Sequence, residues 1–300
     1  MDQVQIGDFS LTRVEEWRGA FVPPAELFTG YDPALFAAHA EDFAGRYYDP
    51  ESGRILALLQ SWVLRAGGRT IVFDTGAGNA KQRPGIPLFG GLDTPFLSRL
   101  QDAGFAPEDI DLVICSHLHI DHVGWNTRLA DGGDWLPTFP RARYLFSETE
   151  ARYWNPAGDG PRPSATGAAV NAGVFEDSVA PLLARGLVDF VGPGDRIGDG
   201  LSLIGVPGHT PGHLALRAES RGDVAYFVGD VLHHPIQIYA PDWNSIFCED
   251  AVAARASRRR VLAAAADDNA LLIPAHFGGG HMTRVARRDD GFVALDVEGN

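Results

Sequence analysis

The chain has only two cysteines among its 300 residues, Cys115 and Cys248, and they do not form a Cys-x-x-Cys pair. So few thiols exclude a disulfide framework and a metal site built mainly from cysteines. Cys115 alternates onto the buried side of an apolar segment and is expected to be inert core. Cys248 has no evident activating partner in the sequence.

Positive charge and long apolar runs are also scarce. Lys and Arg number 25 against 39 Asp and Glu, and this formal net charge of −14 disfavours binding to nucleic acid or to an anionic membrane surface. No apolar run approaches the roughly 20 residues of a membrane span. Residues 1–5 lack the basic and apolar regions of a signal peptide. We therefore expect a cytoplasmic protein with no nucleic-acid partner and no membrane partner.

What the sequence does contain is a dense cluster of metal-binding side chains. Three histidines and an aspartate fall within six residues: His117, His119, Asp121 and His122. They follow an apolar segment, residues 111–115, that reads as a buried strand. Alternate side chains of an extended segment point the same way, so we expect His117 and His119 to face one ion. Asp121 and His122 can then turn toward a second ion.

Three more candidate ligands stand at the ends of later predicted strands. His209 follows the strand predicted at residues 201–206, Asp230 ends one near residue 226, and His276 ends one near residue 271. Side chains delivered by four separate strand ends indicate a convergent metal site. Imidazole nitrogens and carboxylate oxygens are the ligands preferred by zinc and its neighbours in the first transition row.

The order His-x-His-x-Asp-His, followed by a later His, Asp and His, resembles the metallo-β-lactamase-fold hydrolases over residues 56–281. The resemblance implies an α/β fold of four layers, the αββα sandwich, and the alternation of predicted strands and helices in both halves agrees with it. Because the candidate ligands span most of the chain, we predict one domain over residues 1–300. It comprises an N-terminal arm (1–54), a catalytic core (55–281) and a C-terminal tail (282–300).

The resemblance also implies how the ligands divide between two divalent metal ions. His117, His119 and His209 hold one ion, Asp121, His122 and His276 hold the other, and Asp230 bridges them. Zinc is the first candidate because it suits these nitrogen and oxygen donors, and the same set of ligands also accepts manganese, cobalt or iron. In this family the aspartate at the position of Asp74 is not a ligand but holds the ligand loops by hydrogen bonds.

Such a centre implies hydrolysis. Two ions about 3.5 to 4 Å apart share a bridging water and lower its pKa toward about 7, so that a metal-bridging hydroxide attacks an ester-like bond. Asp121 is predicted to orient that hydroxide and to return its proton to the leaving group. His213 is expected to be structural and to fix the His209 loop.

His233 lies three residues after the predicted bridging acid, where acyl-homoserine lactonases place a tyrosine that contacts the substrate carbonyl. A histidine there resembles the methyl-parathion-hydrolase-like members of the superfamily. The side chain either donates a hydrogen bond to the substrate oxygen as a catalytic residue or packs behind the metal ligands. The sequence leaves both interpretations open.

Three functions remain to be compared. The first is a hydrolase of lactones or organophosphate triesters, with the small-molecule substrate in an apolar pocket lined by the N-terminal arm and by residues 125–154. The second is a thioesterase resembling hydroxyacylglutathione hydrolases, which would use basic residues near the C-terminus. The third is a non-catalytic binding module, which a missing ligand would favour, and none is missing. The apolar arm is also compatible with a homodimer.

The remaining elements follow from local patterns. Residues 9–16 read as an edge strand, residues 56–74 as a hairpin, and residues 34–43, 170–185 and 249–268 as helices. The arginines of the last helix are expected on a solvated face. Ser147 is expected to cap a short helix, with Glu150 completing a capping box. Residues 278–296 are expected to form a turn and a last hairpin.

Overall fold

The computed structural model describes residues 3–295. Its strands are β1 (Gln3–Ile6), β2 (Phe9–Ala20), β3 (Phe28–Thr29), β4 (Tyr48–Asp49), β5 (Arg54–Ala66), β6 (Arg69–Phe73), β7 (Leu112–Ile114), β8 (Thr127–Leu129), β9 (Trp135–Pro137), β10 (Arg143–Ser147), β11 (Val188–Val191), β12 (Arg196–Gly198), β13 (Leu201–Gly205), β14 (Leu214–Ser220), β15 (Asp223–Gly229), β16 (Asn244–Ser245), β17 (Leu271–Pro274), β18 (Arg284–Arg288) and β19 (Gly291–Leu295). Its α-helices are α1 (Pro24–Leu27), α2 (Pro33–Ala37), α3 (Ala40–Phe43), α4 (Phe96–Asp102), α5 (Glu148–Trp154), α6 (Ala165–Val170), α7 (Ala180–Ala184), α8 (Ile236–Tyr239) and α9 (Ala251–Asp267).

The first large sheet has the strand order β1-β2-β5-β6-β7-β10-β11, and β4 also pairs with β5. The pairs from β6 to β11 are parallel, whereas β1, β2, β5 and β6 are antiparallel neighbours. The hairpin predicted over residues 56–74 is confirmed as β5 and β6. The edge-strand prediction for residues 9–16 is wrong, because β1 pairs with one side of β2 and β5 with the other.

The second large sheet has the order β12-β13-β14-β15-β17. Its last pair, β15 and β17, is parallel. A parallel pair needs a long crossover, and α9 lies in the connection between these two strands. The carboxyl ends of β15 and β17 therefore lie at the same edge of the sheet, which is where the chain places two of the predicted ligands.

Alternating side chains of the strands build the layers. Phe227 of β15 faces the first sheet, where its ring centroid lies 5.4 Å from that of Phe73. Its neighbours Tyr226 and Val228 face outward and pack in a cluster with Leu262 of α9. A third cluster covers the outer face of the first sheet and includes residues of α4, α5 and α7. The helix–sheet–sheet–helix order confirms the predicted αββα sandwich.

Helix α9 is the long helix expected at residues 249–268, and Asp250 caps it by accepting hydrogen bonds from the amides of Val252 and Ala253 at 2.9 and 3.0 Å. The expectation that its arginines are solvated is wrong for Arg258, which is fully buried. The Arg258 guanidinium donates to the carbonyl of Val231 and to other neutral oxygens around it. Burial is tolerated because these oxygens satisfy its N–H groups.

Two other predicted helices are interrupted. Residues 34–43 form α2 and α3 rather than one helix. Residues 170–185 contain the end of α6, a π-helical turn at Phe175–Val179 and α7. Gly173 takes a φ of +82°, which a continuing α-helix does not allow. The last hairpin is confirmed as β18 and β19, although Asp296 lies outside the described residues. No helix between residues 3 and 295 is long and apolar enough to cross a membrane.

Candidate metal centre

All seven predicted ligands meet at one edge of the two sheets. The loop after β7 carries His117, His119, Asp121 and His122, and the loop between β13 and β14 carries His209. Asp230 directly follows β15, and His276 lies two residues after β17. The residues form two groups, and within each group all ligand atoms lie within 4.8 Å of one another. The first group is His117, His119, His209 and Asp230, and the second is Asp121, His122 and His276.

The first group is compact. The Nε2 atom of His209 lies 3.1 Å from Nε2 of His117 and 2.9 Å from Nδ1 of His119. Four ligands around one zinc ion, each about 2.05 Å from the metal, stand about 3.3 Å apart along the edges of a tetrahedron. The spacing of these nitrogens therefore fits a single divalent ion.

Asp230 faces both groups with different oxygens. Its Oδ2 atom lies 3.2 Å from Nε2 of His209, and its Oδ1 atom lies 3.3 Å from Nε2 of His122 and 3.0 Å from Nε2 of His276. Asp121 lies beside the two histidines of the second group, with Oδ1 3.6 Å from Nε2 of His122 and Oδ2 3.5 Å from Nε2 of His276. The contacts of Asp230 are those expected of a carboxylate shared by two ions.

Buried atoms without partners support the same assignment. Nε2 of His122 and Oδ1 of Asp230 are buried and accept or donate no hydrogen bond among the described residues. A buried polar atom left unpaired costs about 1 to 3 kcal/mol, and a metal ion removes that cost by taking the lone pair. The two groups thus offer donor sets that fit two divalent ions, and Asp230 faces both groups.

The electrostatics of the cluster follow from burial and from its carboxylates. Burial lowers the pKa of His119 well below its usual range, so the ring is neutral and presents a lone pair. Burial opposes charge on His122 as well, but the nearby carboxylates of Asp230, Asp74 and Asp121 raise its pKa. Burial also favours protonation of Asp230, yet the surrounding histidines, His122 foremost, hold its pKa well below the usual range.

Asp74 lies behind the ligands and contacts the loop that carries them, as the family resemblance implied. Its carboxylate accepts from the amide and hydroxyl of Ser116 at 2.7 and 2.8 Å, and its Oδ2 lies 2.9 Å from Nδ1 of His122. The N–H of His276 has a similar partner in the carbonyl of Leu58, 2.9 Å from Nδ1. Contacts of this kind fix the orientation of an imidazole and leave its other nitrogen for the metal.

Three buried polar residues support the site although no sequence pattern placed them there. Glu16 of β2 accepts hydrogen bonds from the amides of Ala77 and Gly78, and burial raises its pKa to about 7. Gln60 of β5 donates to the carbonyls on both sides of His276, at 3.0 and 3.3 Å. Glu150 was assigned to a capping box; Ser147 does cap α5, but the Glu150 carboxylate turns away toward the ligand loops. These partners in other loops and strands lie far from the three residues in sequence, so no local spacing predicts the contacts.

His233 and His213 both lie against the ligands. His233 places Nε2 3.3 Å from Oδ2 of Asp230, and its Nδ1 has no hydrogen-bond partner among the described residues. His213 packs against the ring of His117, with centroids 4.8 Å apart. Gly229 makes this packing possible, because a Cβ there would lie 2.6 Å from Nε2 of His213.

The two cysteines differ in surroundings. Cys115 is buried next to Asn126, and burial raises its thiol pKa well above the usual value. Cys248 is half-buried, and its sulfur lies 3.8 Å from Nδ1 of His209. No local sequence pattern predicts this contact between a thiol and a candidate ligand, because the two residues are 39 positions apart.

A pocket of about 580 Å³, counting space open to solvent, lies over the cluster. Its polar floor consists of His119, Asp121, His209, Asp230, His233 and His276. Its walls are otherwise apolar: Phe21, Leu27, Ile55, Ala57, Leu59, Ile86, Phe89, Ile120, Val170 and Phe247. The N-terminal arm therefore lines the pocket, as one of the sequence interpretations held.

The expected contribution of residues 125–154 to the pocket walls is not found. Trp125 is buried in the core, where it stacks on Phe96 and donates to Glu16. Trp154 is also buried, with its indole ring edge-on to His119 at 5.1 Å between centroids. The pocket wall instead contains Ile86 and Phe89, which lie in the loop before α4.

The sequence model of the Metallo-beta-lactamase superfamily matches residues 60–276, which include the whole ligand cluster. The match covers more than half of the chain. The protein therefore belongs to the metallo-beta-lactamase superfamily, as the order of its histidines and aspartates predicted.

Within that superfamily, two curated relatives are named as lactonases. An N-acyl homoserine lactonase of a Bacillus species is 28% identical over 125 residues, which are 40% of this chain and 38% of the relative. The N-acyl homoserine lactonase AiiB of Agrobacterium fabrum (strain C58 / ATCC 33970) is 25% identical over 184 residues, 55% of this chain and 59% of the relative. The matches thus span less than two thirds of either relative.

Solved structures of similar fold cover nearly the whole chain. A hydrolase, AbOPH, in the beta lactamase superfamily superposes with a TM-score of 0.83 at 24% identity, over 99% of this chain and 97% of that one. The dizinc quorum-quenching lactonase AidC, bound to a product, superposes with a TM-score of 0.78 at 21% identity over the same shares. At such identities the likeness establishes the fold alone.

Proposed function

We propose that the protein is a metal-dependent hydrolase that opens the ester bond of a lactone bearing an apolar acyl group, the N-acyl homoserine lactone class. The observation that carries this proposal is the position of the seven-residue cluster at the floor of an apolar pocket. The floor presents the groups that handle a polar ester, and the walls suit a hydrocarbon chain. The names of the two lactonase relatives and of the product-bound dizinc lactonase support the same substrate class.

The seven ligands would hold two divalent ions, which we propose to be zinc because all donors are nitrogen or oxygen. When bound, such ions supply Lewis-acid activation of water and of the ester carbonyl. Asp230 would hold both ions at once, since its two oxygens face different histidine groups.

The protein's own side chains would then guide the proton. Asp121 lines the pocket and lies beside the second ligand group. We propose that it orients the attacking water and accepts its proton while the water oxygen bonds to the acyl carbon. As the ring C–O bond breaks, Asp121 returns that proton to the departing oxygen. His233 also lines the pocket, and we propose that it donates a hydrogen bond to the substrate carbonyl.

The alternative functions receive less support. A thioesterase for glutathione esters would need basic residues near the C-terminus to reach the substrate, but none of Arg284, Arg287 and Arg288 lines the pocket. Arg287 instead pairs with Asp267 at 2.9 Å. A non-catalytic module would be favoured by a displaced ligand, and the described residues contain the complete set. An organophosphate triester remains a candidate that the substrate assay separates.

The test is metal analysis combined with a substrate panel. Purified protein should bind two equivalents of zinc and hydrolyse N-hexanoyl homoserine lactone faster than a paraoxon-like triester, a thioester or a β-lactam. His119→Ala should lose this activity, whereas His39→Ala, a histidine outside the cluster, should keep it. Fewer than two zinc equivalents in active protein, or a faster reaction with the triester or thioester, would overturn the proposal.

A further inference from the structure

Glu150 is a buried carboxylate between the two loops that carry the ligands of the first ion. It belongs to the first turn of α5, which starts where β10 ends, and its side chain is fully buried. One of these loops follows β7 and carries His117 and His119. The other precedes β14 and carries His209, about 90 residues later in the chain.

The Glu150 carboxylate is hydrogen-bonded to both loops. Oε2 accepts from the amide of Leu118, the residue between His117 and His119, at 3.1 Å. Oε1 accepts from the amide of Gly212, three residues after His209, at 2.7 Å. One side chain thus joins two loops that differ widely in sequence position.

A third contact connects Glu150 to a ligand ring. Oε2 also accepts from the indole N–H of Trp154 at 2.9 Å, one helical turn further along α5. The indole ring lies edge-on to the imidazole of His119, with 5.1 Å between centroids. The hydrogen bond therefore holds the aromatic surface against which His119 packs.

We infer that Glu150 is a positioning residue that holds His117, His119 and His209 in the geometry that binds the first ion. The three N–H groups are buried, so loss of their acceptor leaves donors unpaired and allows the loops to separate. Residues behind metal ligands commonly change metal affinity by about 10 to 100-fold when replaced. This inference rests on the metal centre proposed above. Glu150 contacts none of the second ion's ligands through these bonds, so its effect should be confined to the first ion.

The experiment measures zinc affinity site by site, in two backgrounds that each keep one intact ligand group. His276→Ala leaves the first group complete, and His119→Ala leaves Asp121, His122 and His276 complete. Glu150→Gln is placed in both backgrounds, and zinc affinity is measured by competition with a chromophoric chelator. Glu148→Gln is the matched control, because Glu148 is an exposed glutamate of the same helix turn.

Glu150→Gln should weaken zinc binding by at least about 10-fold in the His276→Ala background and by less than about 3-fold in the His119→Ala background. Glu148→Gln should leave both affinities unchanged. Equal weakening in the two backgrounds, or none in either, would overturn the inference.

Folding is checked by circular dichroism of the metal-free proteins. If Glu150→Gln does not fold, Trp154→Phe removes one donor and keeps the carboxylate, and it should still weaken only the first site, by a smaller factor of about 3-fold. Unchanged first-site affinity in that variant would equally overturn the inference. Wild-type protein that binds fewer than two zinc equivalents would instead refute the metal centre, and the inference with it.

Discussion

At the scale of single residues, His234 shows how a titratable side chain is used for packing rather than chemistry. It neighbours His233 in sequence but faces the other way, into a cluster of aromatic rings from the N-terminal arm. Phe43 lies 4.7 Å away between centroids, and Nδ1 accepts from the amide of Ile236 at 3.1 Å. Burial lowers its pKa to about 3, so the folded protein keeps this ring neutral.

The buried His234 predicts a loss of stability in acid. In the unfolded chain its pKa is about 6.5, so between pH 6.5 and 3 the unfolded state binds a proton that the folded state does not. The free energy of unfolding should therefore fall as the pH drops below 6.5, by about 2 kcal/mol at pH 5 from this residue alone. Urea unfolding of wild type and His234→Phe at pH 7.5 and 5.0 measures this loss of stability. The metal ligands titrate equally in both proteins. If the free energy of unfolding falls between pH 7.5 and pH 5.0 by the same amount in wild type and in His234→Phe, the prediction is contradicted.

At the scale of elements, the pocket wall combines the end of β2 with a loop far along the chain. Phe21 and Phe89 stack with 6.0 Å between centroids, and Trp17 of β2 lies edge-on to Phe89 at 5.7 Å. Phe21 also contacts Phe247, which precedes α9. These contacts join three separate segments of the chain in one part of the apolar wall.

Shortening that wall should affect long acyl chains most. Phe89→Ala removes a buried ring that lines the pocket, and under the proposed function this ring would contact the acyl chain and stabilise the bound state by about 1.5 to 3 kcal/mol. We expect kcat/KM for a decanoyl lactone to fall by about 10-fold or more, and that for a butanoyl lactone by less than about 3-fold. Leu88→Ala, at an exposed neighbouring position, is the control and should change neither. An equal loss for both chain lengths would mean that Phe89 serves the fold and not the substrate.

At the scale of the whole molecule, the candidate metal centre joins the two sheets. The loop after β7 belongs to the first sheet, whereas His209, Asp230 and His276 leave strands of the second. Ions bound there would act as cross-links in the folded state only. Their binding free energy consequently adds to the stability of the entire sandwich.

Metal removal should therefore lower the melting temperature. At free zinc 1,000 times above Kd, each ion adds about 4 kcal/mol, and two ions add about 8 kcal/mol. For a protein of this size we expect chelation to lower Tm by at least about 10 °C, measured by calorimetry. Zinc should restore the original Tm, and chelation should lower the Tm of Asp230→Asn by less than that of the wild type, because that variant has lost the shared ligand. A metal-free protein as stable as the zinc-loaded one would contradict this.

Several features were predictable because their signals are local. The apolar alternation of β15 and the Asp230 that follows it are adjacent in sequence, so the strand and the acid could be identified together. The same holds for the β7 segment with His117 and His119. The contacts of Glu150 and Arg258 could not be predicted, because both residues sit in patterns that usually mean a capped or solvated helix. Their partners lie in loops whose paths depend on the packing of distant elements.

By itself, the sequence determined the superfamily, the four-layer class of fold and the seven side chains that meet in one cluster. Ligand identity and strand periodicity are properties of short segments, and they are set by residue type and spacing. Only the tertiary structure decided which oxygen of Asp230 faces which histidines, which loop walls the pocket, and which buried acids join the ligand loops. These depend on distances between residues many tens of positions apart, which are fixed when the two sheets pack and their loops come together at one edge.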